Sequence, residues 1–184
     1  EFGVFQPYCR NHTTIGTRSQ EPWAFGEPYE SVCREMIKLR QRLLPYLYSL
    51  FREHAETGAP VMRPLWYEYP EDERTYLNED QYLVGGDLLV APVVTEGVLK
   101  RRVYFPRGDA WFDWWTGRRY EGGTETEVEA PLNRLPLFAR AGAVIPTQPV
   151  VQHTGEMLKT PLTLVVAGGA DGAGAVYEGA GEGY

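Results

Sequence analysis

The feature that most constrains the fold of this chain is a helical repeat between Pro28 and Thr57. Apolar residues recur at steps of three and four along it, separated by charged positions: Val32, Met36, Leu39, Leu43, Leu47 and Leu50. The pattern predicts a long amphipathic helix that begins near Pro28 and ends at Gly58. Pro45 lies inside the repeat, and it predicts a kink or a break into two helices.

The apolar face of this helix needs a partner layer. One helix with a short lead-in cannot bury such a face by itself, so the first 60 residues or so are predicted to be the last piece of a larger unit. The chain begins with Glu1 rather than methionine and stops at Tyr184 after a glycine-rich run. We therefore expect both ends to be cut.

The pattern changes to short extended runs between about Gln81 and Gln148. These runs are rich in β-branched and aromatic residues and are separated by Gly, Pro and Asp turns: DLLVAPVVT, RRVYF, AWFDWWT, RLPLFAR and GAVIP. They predict an antiparallel β-sandwich. Two further runs, PLTLVV and GAVYEG, predict strands of another β element near the end of the chain.

Composition indicates a globular protein and excludes several partners. The chain has 184 residues, 43% of them hydrophobic, which is enough for a sizeable core. Its net charge is −7 and its basic residues are scattered, so we expect no nucleic acid partner. No apolar run approaches the roughly 20 residues that span a bilayer, so we expect no membrane partner.

The two cysteines, Cys9 and Cys33, are too few for a disulfide framework, and their spacing matches no metal knuckle. Their number favours a reducing compartment, so we expect a cytoplasmic location.

His12 is the polar residue whose context most suggests function. Arg10 and Asn11 precede it, and Trp23 and Phe25 follow nearby, so this segment could bind hydroxyl groups and stack on a ring. The residues alone leave a structural role and a binding role equally open. His54 and His153 lack such a context, and we interpret them as structural groups.

No catalytic constellation is evident among the remaining residues. The carboxylates near His12 and further along the chain are interpreted as solvated or helix-start groups: Glu21, Glu27, Glu30, Asp80, Asp87 and Asp113. The sequence has no nucleophile elbow, no HExxH and no P-loop, and GGADGAG lacks the strand-then-helix context of a nucleotide site. We predict no catalytic residue, cofactor site or metal site in this chain.

Several long blocks, taken in order, resemble a known family. They are RNHTTIGTRSQEPWAFGEP, LRQRLLPYLYSLFREHAETGAPVMRPLWYEYPED, QYLVGGDLLVAPVV, VYFPRGDAWFDWWTGRRYEGG and APLNRLPLFARAGAVIPTQP. Together they resemble the carboxy-terminal part of glycoside hydrolase family 31, the family of retaining α-glucosidases. The resemblance covers nearly the whole chain.

The resemblance implies the end of a (β/α)8 barrel, with its last strand and helices, followed by an antiparallel β-sandwich and the start of a second β domain. The barrel end would comprise residues 1–62, the proximal β-sandwich 63–150 and a truncated distal β domain 151–184. The last barrel strand would end near Arg10 to His12, at the rim where barrel active sites lie.

The resemblance also implies roles for the segment around His12. The histidine of the family's RNH motif hydrogen-bonds sugar hydroxyls, so His12 is predicted to bind substrate, while Arg10 and Asn11 hold the loop in shape. The two catalytic aspartates of the family lie on earlier barrel strands. This chain would then supply no catalytic residue, would be inactive by itself, and would act with the remainder of the barrel on an oligosaccharide or α-glucoside.

Alternative functions remain open at this point. The same family includes α-xylosidases and α-glucosyltransferases. A different class is a non-catalytic carbohydrate-binding module that holds glycan on Trp111, Trp114 and Trp115.

The sequence departs from the family pattern at two places. Cys9 replaces a hydrophobic residue before RNH, and YEGAGEGY carries Gly179 and Ala180 where relatives have acids. Gly179 and Ala180 carry no carboxylate, so we do not expect a role tied to those acids in this chain.

Overall fold

The computed structural model describes residues 2–179. Two short 3-10 helices, Phe2–Phe5 and Pro22–Phe25, precede two longer α-helices. Helix α1 (Tyr29–Arg42) begins one residue after Pro28, and α2 (Leu44–Thr57) follows it directly. Pro45 lies in the first turn of α2, where its missing N–H costs no helical hydrogen bond. The predicted break at this proline is therefore confirmed. Gly58 ends α2 in the left-handed conformation, at φ 80°, as its position predicted.

Short antiparallel strands make up most of the rest of the fold, together with a short helix α3 (Leu65–Glu68). The strands are β1 (Met62–Arg63), β2 (Tyr82–Val84), β3 (Leu88–Val90), β4 (Lys100–Phe105), β5 (Ala110–Asp113), β6 (Arg119–Glu121), β7 (Thr124–Glu129), β8 (Leu137–Arg140), β9 (Val144–Thr147) and β10 (Thr163–Val166). A six-stranded sheet has the order β1-β2-β3-β8-β5-β6, while β4 pairs with β7 and β9 with β10. Each run predicted as a strand between 81 and 148 contains one.

The six-stranded sheet is covered on both faces. On β3, Leu88 and Val90 pack against α1 and α2, whereas Leu89 packs on the opposite side against β4 and β7. All three side chains are fully buried. This explains why β3 reads as a continuous apolar run, since a strand buried on both faces shows no alternation. The pair β4–β7 on one face gives the two layers of a β-sandwich.

The core beneath β4 and β7 is aromatic. The rings of Phe105 and Tyr120 stack with centroids 4.6 Å apart, and Phe138 meets Phe105 edge-on at 4.9 Å. Trp111 is fully buried in the same cluster. Ring pairs of this geometry add to the stabilisation that burial of their area provides.

The GAVYEG run does not form the strand that its composition predicted. Residues 171–179 carry no strand, and β10 is the strand of this region that the structure describes. The backbone at Gly172 and Gly174 passes so close to the carbonyls of Gly142 and Val144 that a Cβ there would collide with them. Such close passage replaces ladder pairing, and the glycines permit it. Ala180, where the sequence differs from the family pattern, lies outside the described residues.

The predicted barrel strand is not present among residues 6–20, which form no strand. A strand exists through pairing with a neighbour, and none of the described strands pairs with this segment. The lead-in is held instead by α1, since the guanidinium of Arg40 donates to the carbonyl oxygens of Val4, Gln6 and Pro7 at 2.5, 2.7 and 3.1 Å. The barrel end stays a prediction.

The predicted domain boundaries also stay predictions. Strand β1 lies across the boundary between residues 62 and 63, and α1 and α2 share one core with β3 and β8. Val4 and Phe5 of the lead-in belong to that core as well. In the described part of the chain, no helix is both long and apolar enough to cross a membrane.

Candidate functional site

The loop that carries His12 lies against α1 and encloses a cleft of about 720 Å³ with it. Val32, Met36 and Ile37 of α1 line one side of this cleft, and residues 9–11 and 13–22 of the loop line the other. His12 itself is exposed and does not line the cleft. The loop therefore separates a partly apolar cleft from an outward-facing imidazole.

Arg10 is the residue that contacts His12. Its Nη2 atom lies 2.8 Å from Nδ1 of the imidazole ring, within hydrogen-bond distance. The two residues that the sequence singled out are thus in direct contact, although they are separated by Asn11. This contact leaves the Nε2 edge of the ring as the one that can meet a ligand.

The remaining polar residues of the loop bond to one another. Asn11 donates from Nδ2 to the carbonyl oxygen of Gln20 at 2.7 Å, which closes the loop across nine residues. The hydroxyls of Thr13 and Thr17 lie 2.6 Å apart, and the guanidinium of Arg18 lies over the Phe25 ring at 5.1 Å. The bond from Asn11 to the Gln20 carbonyl is the kind of contact that a loop-shaping role for Asn11 requires.

The candidate carboxylates have structural partners. Glu27 accepts from Ser31 at 2.7 Å, and Glu30 pairs with Arg34, one turn further along α1. Asp113 accepts from two backbone N–H groups in the turn after β5. Asp80 and Asp87 pair with Arg101 and Arg140 at 2.9 and 2.8 Å. Glu21 precedes the short helix Pro22–Phe25 and lines the cleft.

The other two histidines have local contacts. Nδ1 of His54 lies 3.0 Å from the carbonyl oxygen of Ala59, at the end of α2. Nε2 of His153 lies 3.6 Å from Glu156, three residues further along. Among the residues that the structure describes, no group of His, Cys, Asp and Glu could hold a metal ion.

The three tryptophans considered as a sugar platform do not form one. Trp111 is fully buried, and Trp114 packs against the core beneath α1 and α2. Trp115 is 36% exposed, and its Nε1 donates to the carbonyl oxygen of Leu135 at 2.7 Å. Because the side chains are committed to the core or held at its edge, they cannot stack together on a glycan.

A buried carboxylate was not found by sequence reasoning. Asp72 accepts from the Tyr104 hydroxyl at 2.6 Å and from the Arg107 N–H at 2.8 Å, and it also accepts from the Arg74 N–H. Burial by itself would raise the pKa of Asp72, but these hydrogen bonds outweigh it and hold the pKa below its ordinary value. Burial and the contact with Asp72 raise the pKa of Tyr104 to about 12.

A buried arginine joins the helices to the sheet. Arg63 of β1 donates to Glu53 of α2 at 2.8 Å and to Glu68 of α3 at 2.6 Å. Burial opposes its charge, but the two carboxylates outweigh that effect and raise the pKa of Arg63. Tyr104 and Arg107 lie 32 and 35 residues from Asp72, and Glu53 lies 10 residues from Arg63, so no local pattern in the sequence marks these contacts.

Two family models match this chain. The model described as the glycosyl hydrolases family 31 TIM-barrel domain matches residues 1–50, and the one described as the glycosyl hydrolase family 31 C-terminal domain matches residues 58–145. Together they cover most of the chain.

Individual relatives agree with these models. The chain is 50% identical over 154 residues to alpha-glucosidase 2 of Bacillus thermoamyloliquefaciens, a match that covers 84% of this chain and 19% of that protein. The fold is similar to an alpha-xylosidase from Xanthomonas citri, with a TM-score of 0.92 and 41% identity over all of this chain and 20% of that one. It is also similar to a dextranase of Flavobacterium johnsoniae solved with isomaltotriose, with a TM-score of 0.87 and 43% identity over 91% of this chain and 21% of that one. The chain spans about a fifth of the length of these relatives.

Proposed function

Because the chain belongs to glycoside hydrolase family 31, we propose that it is the carboxy-terminal part of an exo-acting α-glucosidase that removes terminal α-linked glucose from oligosaccharides with retention. The observation that carries this proposal is the 50% identity to an alpha-glucosidase over 154 residues. The chain spans about a fifth of that relative, so the proposal places the remainder of the catalytic barrel in the rest of the same protein.

In this proposal the covalent chemistry belongs to two carboxylates upstream of residue 1. A retaining glycosidase holds such a pair about 5–5.5 Å apart, one as nucleophile and one as acid and then base. The candidate carboxylates Glu27 and Glu30 have partners within α1, which supports leaving them out of this chemistry. The described residues contribute binding and support.

His12 is proposed to bind the non-reducing sugar. Its exposed ring, held by Arg10 on one nitrogen, offers the other nitrogen to a hydroxyl group. Ile15 of the same loop and Trp23 of the short helix that follows it are exposed, and they offer apolar surface to a ligand.

An alpha-xylosidase is the second candidate, because the Xanthomonas citri enzyme matches the whole chain with a TM-score of 0.92. A xyloside lacks the hydroxymethyl group of a glucoside, and both proposals place the residues that decide between the two substrates upstream of residue 1.

One experiment tests both candidates. In the full-length enzyme, kcat/KM on an aryl α-glucoside should exceed kcat/KM on the matching α-xyloside, and the reverse order would favour the second candidate.

His12→Ala should lower kcat/KM on the preferred substrate about tenfold, as expected for the loss of one hydrogen bond. Its melting temperature should not change, since His12 is exposed. Unchanged kinetics would remove His12 from the binding site; the matched control is His153→Ala, which should leave kcat/KM unchanged.

A further inference from the structure

We propose that Arg10 is a positioning residue that holds His12 in the tautomer with its proton on Nε2, so that His12 meets the sugar as a hydrogen-bond donor. The statement about the sugar rests on the proposed function. The statement about the tautomer does not, because it follows from the contact between the two side chains.

The contact determines which nitrogen carries the proton. Nη2 of Arg10 lies 2.8 Å from Nδ1 of His12. A guanidinium group has five N–H donors and no acceptor, so in this hydrogen bond Nδ1 must accept. A neutral imidazole that accepts at Nδ1 carries its single proton at Nε2.

Neighbouring side chains leave this pairing undisturbed. Asn11 is bonded to the carbonyl of Gln20, and Thr13 is bonded to Thr17, so neither is engaged with the ring. Arg10 also lines the cleft against α1, whereas His12 does not. Arg10 therefore lines the cleft and also contacts Nδ1 of the exposed His12 ring.

The tautomer sets the direction of the hydrogen bond between His12 and a sugar hydroxyl. With Nδ1 occupied, the ring can offer a sugar hydroxyl only a donor, and the hydroxyl oxygen must accept. A residue that places a donor where Nε2 lies could replace His12 in part, whereas a residue that places it where Nδ1 lies could not.

His54 is an internal reference, because its Nδ1 faces an acceptor whereas Nδ1 of His12 faces a donor. Its Nδ1 lies 3.0 Å from the carbonyl oxygen of Ala59. A carbonyl can only accept, so the neutral His54 ring must carry its proton on Nδ1. The same chain thus contains two histidines whose partners demand different tautomers.

Nitrogen-15 NMR of the histidine rings tests the tautomer directly. The protein measured is the full-length enzyme, in which His12→Ala and His54→Ala identify the signals of the two rings by difference. At pH about 9, well above the ordinary histidine pKa of about 6.5, His12 should show an unprotonated Nδ1 and a protonated Nε2, while His54 shows the reverse. Arg10→Met, which removes the donor, should move the His12 shifts toward those of a tautomer mixture. Arg10→Lys, which retains a donor, should keep them closer to the original values.

Either of two spectra would overturn the inference. One is a His12 ring protonated at Nδ1, and the other is a His12 ring whose shifts do not change in Arg10→Met. Unchanged His54 signals in that variant show that the fold is intact.

Kinetics of the full-length enzyme separate this inference from the proposed function. His12→Gln should retain kcat/KM several-fold higher than His12→Asn, because glutamine places its amide near the Nε2 position; equal losses would overturn the donor role. If His12→Ala has normal kinetics while the tautomer is held as described, the binding role fails and the positioning role of Arg10 stands.

Discussion

At the scale of single residues, the partner decides what a polar side chain does. His12 and His54 are the same residue type, but a guanidinium faces one ring and a carbonyl oxygen faces the other. Asp72 and Glu30 are both carboxylates near the start of a helical turn, yet Asp72 is 3% exposed and accepts three hydrogen bonds, while Glu30 has one partner at the surface. A buried polar group such as Asp72 contributes to the stability of the fold only while every hydrogen-bond partner is in place.

Asp72→Asn should destabilise the protein by about 2–3 kcal/mol at pH 7. The amide replaces one acceptor oxygen with a donor. At the Oδ2 position this donor faces the hydroxyl of Tyr104 and the N–H of Arg107, and at the Oδ1 position it faces the N–H of Arg74. Urea unfolding at a series of pH values measures the effect. The exposed Asp171→Asn serves as the control and should change the free energy of unfolding by less than about 0.5 kcal/mol.

The difference in the free energy of unfolding between the wild type and Asp72→Asn should depend on pH. The folded-state pKa of Asp72 lies below its ordinary value of about 3.9. Its contribution is therefore complete above that ordinary value and is lost as the pH falls through the folded-state pKa. The gap between the wild type and Asp72→Asn should narrow over that acidic range, and a gap that stays constant down to pH about 2 would contradict the assignment.

At the scale of elements, α2 packs onto the turn between β2 and β3 at a single glycine. Gly85 has φ 60°, and a Cβ there would lie 2.6 Å from the hydroxyl oxygen of Tyr46 and 2.7 Å from a methyl group of Leu50. Tyr46 is buried, and its hydroxyl donates to the carbonyl oxygen of Val84 at 2.7 Å. The close approach of helix and turn thus depends on the absence of a side chain.

Gly85→Ala should therefore be more destabilising than Gly58→Ala. Both glycines are left-handed, but nothing lies within 4 Å of a Cβ at Gly58. Gly58→Ala should cost about 1–2 kcal/mol from backbone strain alone. Gly85→Ala should cost a further 1–3 kcal/mol or so from overpacking against Tyr46 and Leu50. Equal losses in thermal unfolding would show that α2 does not approach the turn this closely.

At the scale of the whole molecule, the six-stranded sheet belongs to two cores. Adjacent residues of β3 point into different ones, Leu88 toward α1 and α2 and Leu89 toward β4 and β7. Both are fully buried. Because the two cores share one sheet, the described helices and the sandwich should unfold together.

Leu88→Ala and Leu89→Ala should each destabilise the protein by about 2–5 kcal/mol, and each should shift the whole transition. Far-UV circular dichroism reports the helices, and near-UV circular dichroism reports the aromatic core around Trp111. In both variants the two signals should melt at one temperature. Loss of the helix signal alone in Leu88→Ala would show that the cores are independent.

Local features of the fold were predictable because nearby residues cause them. The period of the helical repeat, the break at Pro45 and the left-handed end at Gly58 depend on residues a few positions apart. The strand runs between 81 and 148 were found for the same reason. GAVYEG was predicted wrongly, since its Gly174 lets the backbone pass close to Val144 of β9 without forming a ladder.

The candidate site was predictable only in part. His12 and Arg10 were found as neighbours in one motif, and they are in contact. Asp72 was not found, because the Tyr104 hydroxyl that defines its environment lies 32 residues away along the chain. Trp111, Trp114 and Trp115 were considered together as a sugar platform in the sequence. The burial of Trp111, the packing of Trp114 and the hydrogen bond of Trp115 to Leu135 excluded that role.

The sequence by itself determined the family of this chain, its helix ends, most of its strands and the motif that contains His12, because these depend on residue types in order. Only the tertiary structure decided that the helices cover one face of the sheet, that Asp72 is a buried acceptor and that Arg10 faces Nδ1 of His12. The physical reason is that burial and hydrogen-bond direction are properties of pairs of groups in space, and no single residue or local pattern contains both members of such a pair.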